Sequence, residues 1–219
     1  ETAREEMTEY YTMWVHQIKT PIAAMRLLLQ KPGQEQDPEL SEQLFRIEEY
    51  VNMVLQYLRV DGDNDLVVQW NDLDLMVRQA VHRYAGMFIR KKLSLSYEPL
   101  NRKVLTDEKW LVFAVEQILS NAVKYTGQGG ISIYLEPGPD TVLAIRDTGT
   151  GIALEDQPRI FEKGFTGYNG HADKRSTGIG LYLCRRILNR LSHEITVESE
   201  PGKGTIMRIW FAKERLEVE

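Results

Sequence analysis

Apolar residues recur through the first part of the chain in alternating steps of four and three: Tyr11, Val15, Ile18, Ile22, Met25 and Leu29. This is a heptad seam, and it predicts an amphipathic helix whose apolar stripe needs a partner. Lys31-Pro-Gly-Gln-Glu-Gln-Asp-Pro38 breaks that helix, because proline removes a backbone donor and glycine tolerates turn conformations. A second seam follows with the same alternation: Leu40, Leu44, Ile47, Val51, Val54 and Leu58. Matching seams predict an antiparallel hairpin. One hairpin has too little core to stand alone, so pairing two as a four-helix bundle predicts a homodimer.

Asp61-Gly-Asp-Asn-Asp65 is acidic and lacks large apolar residues, which reads as a linker. We therefore expect a helical hairpin over 1–62 and a second domain over 66–216. In the second domain the spacing predicts helices over Leu73–Phe88, Glu108–Tyr125 and Ile179–Leu191. Strands are predicted at Leu93–Tyr97, Ile131–Leu135 and Val142–Arg146, with a closing pair, Glu194–Glu198 and Thr205–Phe211, around Pro201-Gly-Lys-Gly204. The fold class is α+β multidomain.

Composition narrows the function. The net charge is −5 and charged residues make up 27% of the chain, with no basic tract dense enough to track a phosphate backbone. Direct nucleic-acid binding is not expected. Cys184 is the one cysteine, so no internal disulfide forms. No apolar run approaches the roughly 18 to 20 residues of a membrane span. The chain opens without Met and already in helical pattern, which suggests a piece of a longer, membrane-borne protein.

Candidate chemistry is concentrated in the second domain. Gln117 lies one helical turn before Asn121, so two neutral amide oxygens converge on one face. Such a pair suits Mg²⁺, which keeps much of its coordination for water and substrate phosphates. Lys124, on the same stretch, is placed to meet a phosphate. The same decapeptide also reads as an ordinary amphipathic helix with solvated Gln, Asn and Lys. Asp147-Thr-Gly-Thr-Gly-Ile152 directly follows a strand, which fixes a carboxylate beside Gly149 and Gly151, where a ligand can approach the backbone. That carboxylate would accept an adenine amino group, or it is simply a polar exit from the strand. Ser176-Thr-Gly-Ile-Gly-Leu181 opens a helix, and free N–H groups there favour phosphate. It is neither a P-loop nor a dinucleotide fingerprint. The polar, Gly-rich run Pro158–Arg175 between these segments suits a lid, with Phe161 and Phe165 at its base. Lys174 and Arg175 meet phosphate or are solvated loop charges. His171 and His193 have no partner at metal-ligand spacing, so neither zinc nor a Cys/His nucleophile pair is expected.

Taken in order, these segments resemble the transmitter core of two-component sensor histidine kinases. His16-Gln-Ile-Lys-Thr-Pro21 resembles the phosphoacceptor box, Asn121-Ala-Val-Lys-Tyr125 the N box, and Asp147–Gly151 the first glycine box. Ile160-Phe161 with Gly164-Phe165 resembles the F box, Gly178-Ile-Gly180 the second glycine box, and Gly202-Lys-Gly204 the last. The resemblance implies a dimerisation and phosphotransfer hairpin followed by an ATP-binding domain of the gyrase and heat-shock-chaperone type. It implies nucleotide contacts from Asn121, Lys124, Tyr125, Asp147, Gly149, Gly151, Phe161, Gly178, Gly180, Leu181 and Thr205, with Mg²⁺ on Gln117 and Asn121. It further implies ATP-dependent phosphorylation of His16, transfer to a response-regulator aspartate, and phosphatase activity. Thr20 occupies the phosphatase position, one turn after His16, or is merely a helical Thr before Pro21. The run His16–Ile22 resembles the small-sensor kinases of low-GC Gram-positive bacteria that work beside antimicrobial-peptide ABC transporters, which implies the cytoplasmic portion of a bacterial cell-membrane protein.

This sequence departs from the family pattern at Gln17, where the family usually has Glu or Asp, and at Ser176, where Gly is common. His16 follows the seam residue Val15 by one position, about 100° around the helix, so its ring is expected on the bundle's shoulder, toward solvent. Near neutral pH an imidazole offers a lone pair without further activation. Gln17 can orient that ring but cannot take its proton. Two rival readings are a dimerisation scaffold that binds nucleotide without transferring phosphate, and a clamp that hydrolyses ATP without labelling itself.

Overall fold

The computed structural model describes residues 18, 22–27, 29, 38–60, 66–167 and 178–212. The chain divides into two units, Glu1–Asp65 and Leu66–Glu219.

In the first unit, residues 22–27 are helical and pack against α1 (Pro38–Arg59). Proline at the first position of α1 costs nothing, since its missing N–H would have no helical partner there. The shared core is Ile22 with Leu44, Val51 and Leu55, flanked by Ile18 and Leu29, and Arg26 pairs with Glu48 at 2.6 Å. Only half of the second predicted seam is used. Leu40, Ile47 and Val54, one heptad apart, are 49%, 44% and 39% exposed, whereas Leu55, outside the predicted seam, is buried. Met25 of the first seam is exposed too. Among the described residues no helix is long and apolar enough to cross a membrane.

The second unit is built on a five-stranded mixed sheet in the order β2-β4-β5-β7-β6. Its strands are β2 (Ser94–Tyr97), β4 (Gly130–Leu135), β5 (Val142–Asp147), β6 (Glu194–Glu200) and β7 (Gly204–Trp210). β2 and β4 run parallel and the other neighbours antiparallel. Alternation decides which side is covered. Ile131, Ile133, Leu143, Ile145, Met207 and Ile209 are buried on one face, while Tyr134, Arg146 and Arg208 lie on the other. On that outer face Arg208 pairs with Glu136 at 2.6 Å and Glu198 at 2.8 Å.

Helices α2 (Leu73–Lys91), α3 (Glu108–Tyr125) and α4 (Gly180–Arg190) form the second layer, with α3 packed between α2 and α4. Their starts follow local chemistry. Asp72 caps α2 by accepting from the N–H groups of Asp74 and Leu75. Asp107 caps α3 through Trp110 N at 3.1 Å, and its other oxygen accepts from Val67 N at 2.7 Å. α3 is buried almost all round, from Trp110 to Val123, as expected of a helix between two others and a sheet. Cys184 is buried on α4 with its Sγ 3.6 Å from Ala114 O, and burial pushes its thiol up, away from thiolate reactivity.

Two strands were not anticipated. β1 (Gln69–Asp72) and β3 (Lys103–Thr106) pair antiparallel as a separate ribbon. Each is four residues long, and Gln-Trp-Asn-Asp has neither β-branched residues nor an apolar alternation to mark it.

His193, at the turn before β6, has a structural role. Its Nδ1 accepts from Ala212 N at 3.4 Å, which leaves Nε2 to donate to Thr106 Oγ1 at 3.0 Å, and Phe211 packs edge-on at 4.9 Å. Burial lowers its pKa to about 4. The unfolded chain, with an ordinary His near 6.5, binds a proton that the folded unit refuses, so stability is complete above the unfolded value and lost as pH falls toward the folded one. Urea melts should show the second unit losing about 2 kcal/mol between pH 7 and pH 5. His193→Gln should flatten that slope.

Candidate nucleotide site

The end of β5 places Asp147 on the covered face of the sheet. Burial raises its pKa, against the lowering effect of backbone N–H groups from Gly149 and Thr205, which donate to the same oxygen, Oδ1, at 2.8 and 3.3 Å. Among the described residues no hydrogen bond reaches Oδ2. The residue is buried, but Oδ2 is not among the sealed-off polar atoms of the described residues, so it is an open acceptor that a ligand N–H can meet.

The glycines around Asp147 permit close backbone packing. A Cβ on Gly204, whose φ is +101°, would stand 2.0 Å from Asp147 O. One on Gly151 would stand 2.1 Å from Glu200 O, and one on Gly149 2.6 Å from Tyr125 O. Thr150 N also donates to Tyr125 O at 3.2 Å, so the loop after β5 is fastened to the C-terminal end of α3.

That end of α3 carries Gln117, Asn121, Lys124 and Tyr125. Gln117 is buried, yet neither its carboxamide nor that of Asn121 bonds any described residue. Gln117 is turned toward the start of α4, since a Cβ on Gly180 would stand 2.6 Å from its Oε1. Such a side chain has an oxygen to offer. Lys124 Nζ lies 5.1 Å from the centre of the Tyr125 ring. The start of α4 has no side-chain cap, and Gly178 O just before it accepts from Gly164 N at 2.9 Å. Leu181 is half-buried in its first turn. Phe161 is buried with the Arg185 guanidinium 5.5 Å from its ring, and Phe165 has Arg159 at 4.5 Å.

Asp147, Gly149, Gly151 and Thr205 thus cluster at one sheet end, and Gln117 with Gly180 at the α3–α4 contact. His16, Gln17, Thr20, His171, Lys174, Arg175 and Ser176 lie outside the described residues. Motif reading overlooked Ser199 and Gln157. Ser199 Oγ accepts from Ile152 N at 2.8 Å, and Gln157 Nε2 donates to Ile152 O at 3.1 Å and Ser199 O at 2.8 Å. One signal was available: Ser199 shares the period-two face of Ile195 and Val197.

Known proteins resemble this chain in sequence and in fold. Sensor protein BceS of Bacillus subtilis (strain 168) is 35% identical over 212 residues, which is 95% of this chain and 64% of that protein. Sensor protein kinase GraS of Staphylococcus aureus (strain JH1) is 35% identical over 204 residues, 91% of this chain and 59% of that protein. The chain therefore spans less than two thirds of the length of these relatives. Among solved structures, full-length ShkA in complex with AMPPNP superposes with a TM-score of 0.67 at 23% identity, over 95% of this chain and 47% of that one. Acinetobacter baumannii histidine kinase AdeS gives 0.61 at 21% identity, over 91% and 98%. At that identity the likeness is one of fold. Residues 106–215 match the model described as histidine kinase-, DNA gyrase B-, and HSP90-like ATPase, and with half the chain inside that model the protein belongs to this ATPase family.

Proposed function

We propose that this chain is the catalytic core of a sensor histidine kinase that phosphorylates itself on His16 from ATP, passes the phosphoryl group to a response-regulator aspartate, and removes it again through Thr20. The observation that carries the nucleotide half is Asp147, buried, tied at Oδ1 and open at Oδ2. Adenine offers the matching donor in its 6-amino group. The residues present also fit a divalent cation: Gln117 and Asn121 would hold Mg²⁺, and their unpartnered carboxamides support that assignment. Bound there, the cation would neutralise charge on the triphosphate.

A neutral His16 ring nitrogen forms the N–P bond as the bond from the γ-phosphorus to the oxygen bridging it to the β-phosphate breaks, and ADP departs with that oxygen. The proton on the other ring nitrogen goes to water or buffer, because Gln17 cannot take it. Restoring an acid should help. Since the imidazole is already mostly neutral, Gln17→Glu is expected to raise the autophosphorylation rate only about tenfold, below the full range of general-base effects. A rate unchanged from pH 6 to 9 would remove this role.

Leu40, Ile47 and Val54 support a homodimer, since an apolar heptad stripe left exposed in one chain is what a four-helix bundle covers. The relatives' greater length supports a sensor and membrane anchor outside this segment, which would make the chain the cytoplasmic portion. The resemblance of the run His16–Ile22 to small-sensor kinases supports an antimicrobial-peptide ABC transporter as a further partner. The test is incubation with γ-labelled ATP and Mg²⁺. Acid-labile, base-stable label on the chain supports the kinase, ATP hydrolysis without label favours a clamp, and neither favours a nucleotide-binding scaffold.

A further inference from the structure

The covered face of the sheet carries a row of side chains that runs across strands β4, β5, β7 and β6 at the end where Asp147 lies. Ile131 pairs with Asp147, and Thr205 pairs with Ser199. Asp147 lies one step beyond the Arg146–Ile206 pair of the β5–β7 ladder and so faces Thr205, whose N–H it accepts. Thr205 thus stands between the carboxylate and Ser199. Neighbours in such a row have Cβ atoms about 4.5–5.5 Å apart, within reach of one base edge.

Ser199 Oγ has three polar neighbours: Ile152 N at 2.8 Å, Gly204 O at 2.9 Å and Thr205 Oγ1 at 2.9 Å. A hydroxyl has one proton and two lone pairs. Ile152 N–H can only donate, so it takes one lone pair. Gly204 O can only accept, so it takes the proton. The remaining lone pair can only receive the Thr205 proton. Among the described residues Ser199 is the hydrogen-bond partner of Thr205 Oγ1. The Thr205 proton is therefore committed, and lone pairs are what Thr205 presents beside Asp147.

The geometry points to Ser199 as a positioning residue for base selectivity: by consuming the Thr205 proton it turns the end of the row into an all-acceptor edge, fitted to a 6-amino purine and hostile to a 6-oxo purine. This rests on the reading of Asp147 as the adenine contact. Adenine brings two amino hydrogens to two acceptors, either directly or with a water between. Hypoxanthine would bring an acceptor oxygen to the same place, and a buried acceptor facing acceptors loses its hydrogen bonds outright. Gln157 supports the arrangement from behind by bonding both Ile152 O and Ser199 O, so the donor to Ser199 is held in place.

The experiment measures dissociation constants of ATP and inosine triphosphate for the full chain with Mg²⁺, by displacement of a fluorescent ATP analogue. The parent should prefer ATP by about 10²-fold. Ser199→Ala releases the Thr205 proton to meet a 6-oxo group, so the ATP preference should shrink about tenfold, chiefly through tighter inosine triphosphate binding. Ser199→Thr should keep the parent ratio. A merely structural Ser199 would weaken both nucleotides alike, and that result overturns the inference. Should Ser199→Ala not fold, Thr205→Val serves instead: it must weaken ATP more than inosine triphosphate, and the reverse order sinks the idea. Asp147→Asn separates the two levels. If it leaves the preference intact, the Asp147 reading fails and takes this inference with it. If it collapses the preference while Ser199→Ala does not change the ratio, only the role of Ser199 falls.

Discussion

His16→Ala should take up no label from γ-labelled ATP while binding ATP as tightly as the parent, within about twofold. The first half follows from chemistry. Alanine has no lone pair, and a phosphoramidate cannot form without the ring nitrogen that becomes its N–P bond. The loss should exceed three orders of magnitude, on the order of the cost of removing a nucleophile outright. The second half follows from where the nucleotide contacts are assigned. Asp147, Thr205, Gln117 and Asn121 all belong to the second unit, whereas His16 falls in the first. Nucleotide affinity measured beside the label keeps the outcome interpretable: lost label with retained affinity supports His16 as acceptor. Persistent acid-labile label on His16→Ala would move the acceptor to another histidine, and loss of ATP affinity would mean that the substitution acts on more than the transfer step.

Much of the second unit was legible because its elements are long and periodic. Glu108–Tyr125 was predicted over the span it occupies from the helical spacing of its apolar residues alone. The β1–β3 ribbon was illegible: Gln-Trp-Asn-Asp carries no apolar alternation, and its pairing joins strands far apart in sequence. The hairpin shows a different limit. Sequence spacing identified one stripe, but the structure divides it, burying Leu44 and Val51 with Leu55 and leaving Leu40, Ile47 and Val54 exposed. A heptad pattern says which residues are apolar and not which neighbour each one faces. At the site, glycine and carboxylate positions carried a signal because their chemistry is rare. Gln157 carried none, and Ser199 only its place on the period-two face of Ile195 and Val197, because serine in a strand and glutamine in a loop are ordinary until hydrogen bonds single them out.

Asp147→Asn tests the deepest part of the site with the smallest change of shape. The amide oxygen can still accept from Gly149 N and Thr205 N, so the loop after β5 should keep its path. The other position changes from an acceptor to an NH₂ donor, which meets the donor hydrogens of an adenine amino group. Losing a charge-assisted hydrogen bond costs about 1.5–3 kcal/mol, and opposing two donors adds to that, so ATP affinity should fall by about 10²-fold or more. Stability should move the other way. Burial raises the Asp147 pKa, so the folded state holds a proton that the unfolded state releases, and the ionised group weakens the fold as pH rises through the unfolded and then the folded value. Asparagine removes that burden at neutral pH, and the variant should melt at or above the parent's temperature without nucleotide. Together the two directions are diagnostic: a variant more stable alone but deaf to ATP, which should raise the parent's melting temperature by mass action, has lost a ligand contact and not its fold. If ATP stabilises Asp147→Asn as much as the parent, the carboxylate is not the base contact, and its buried charge would need another donor.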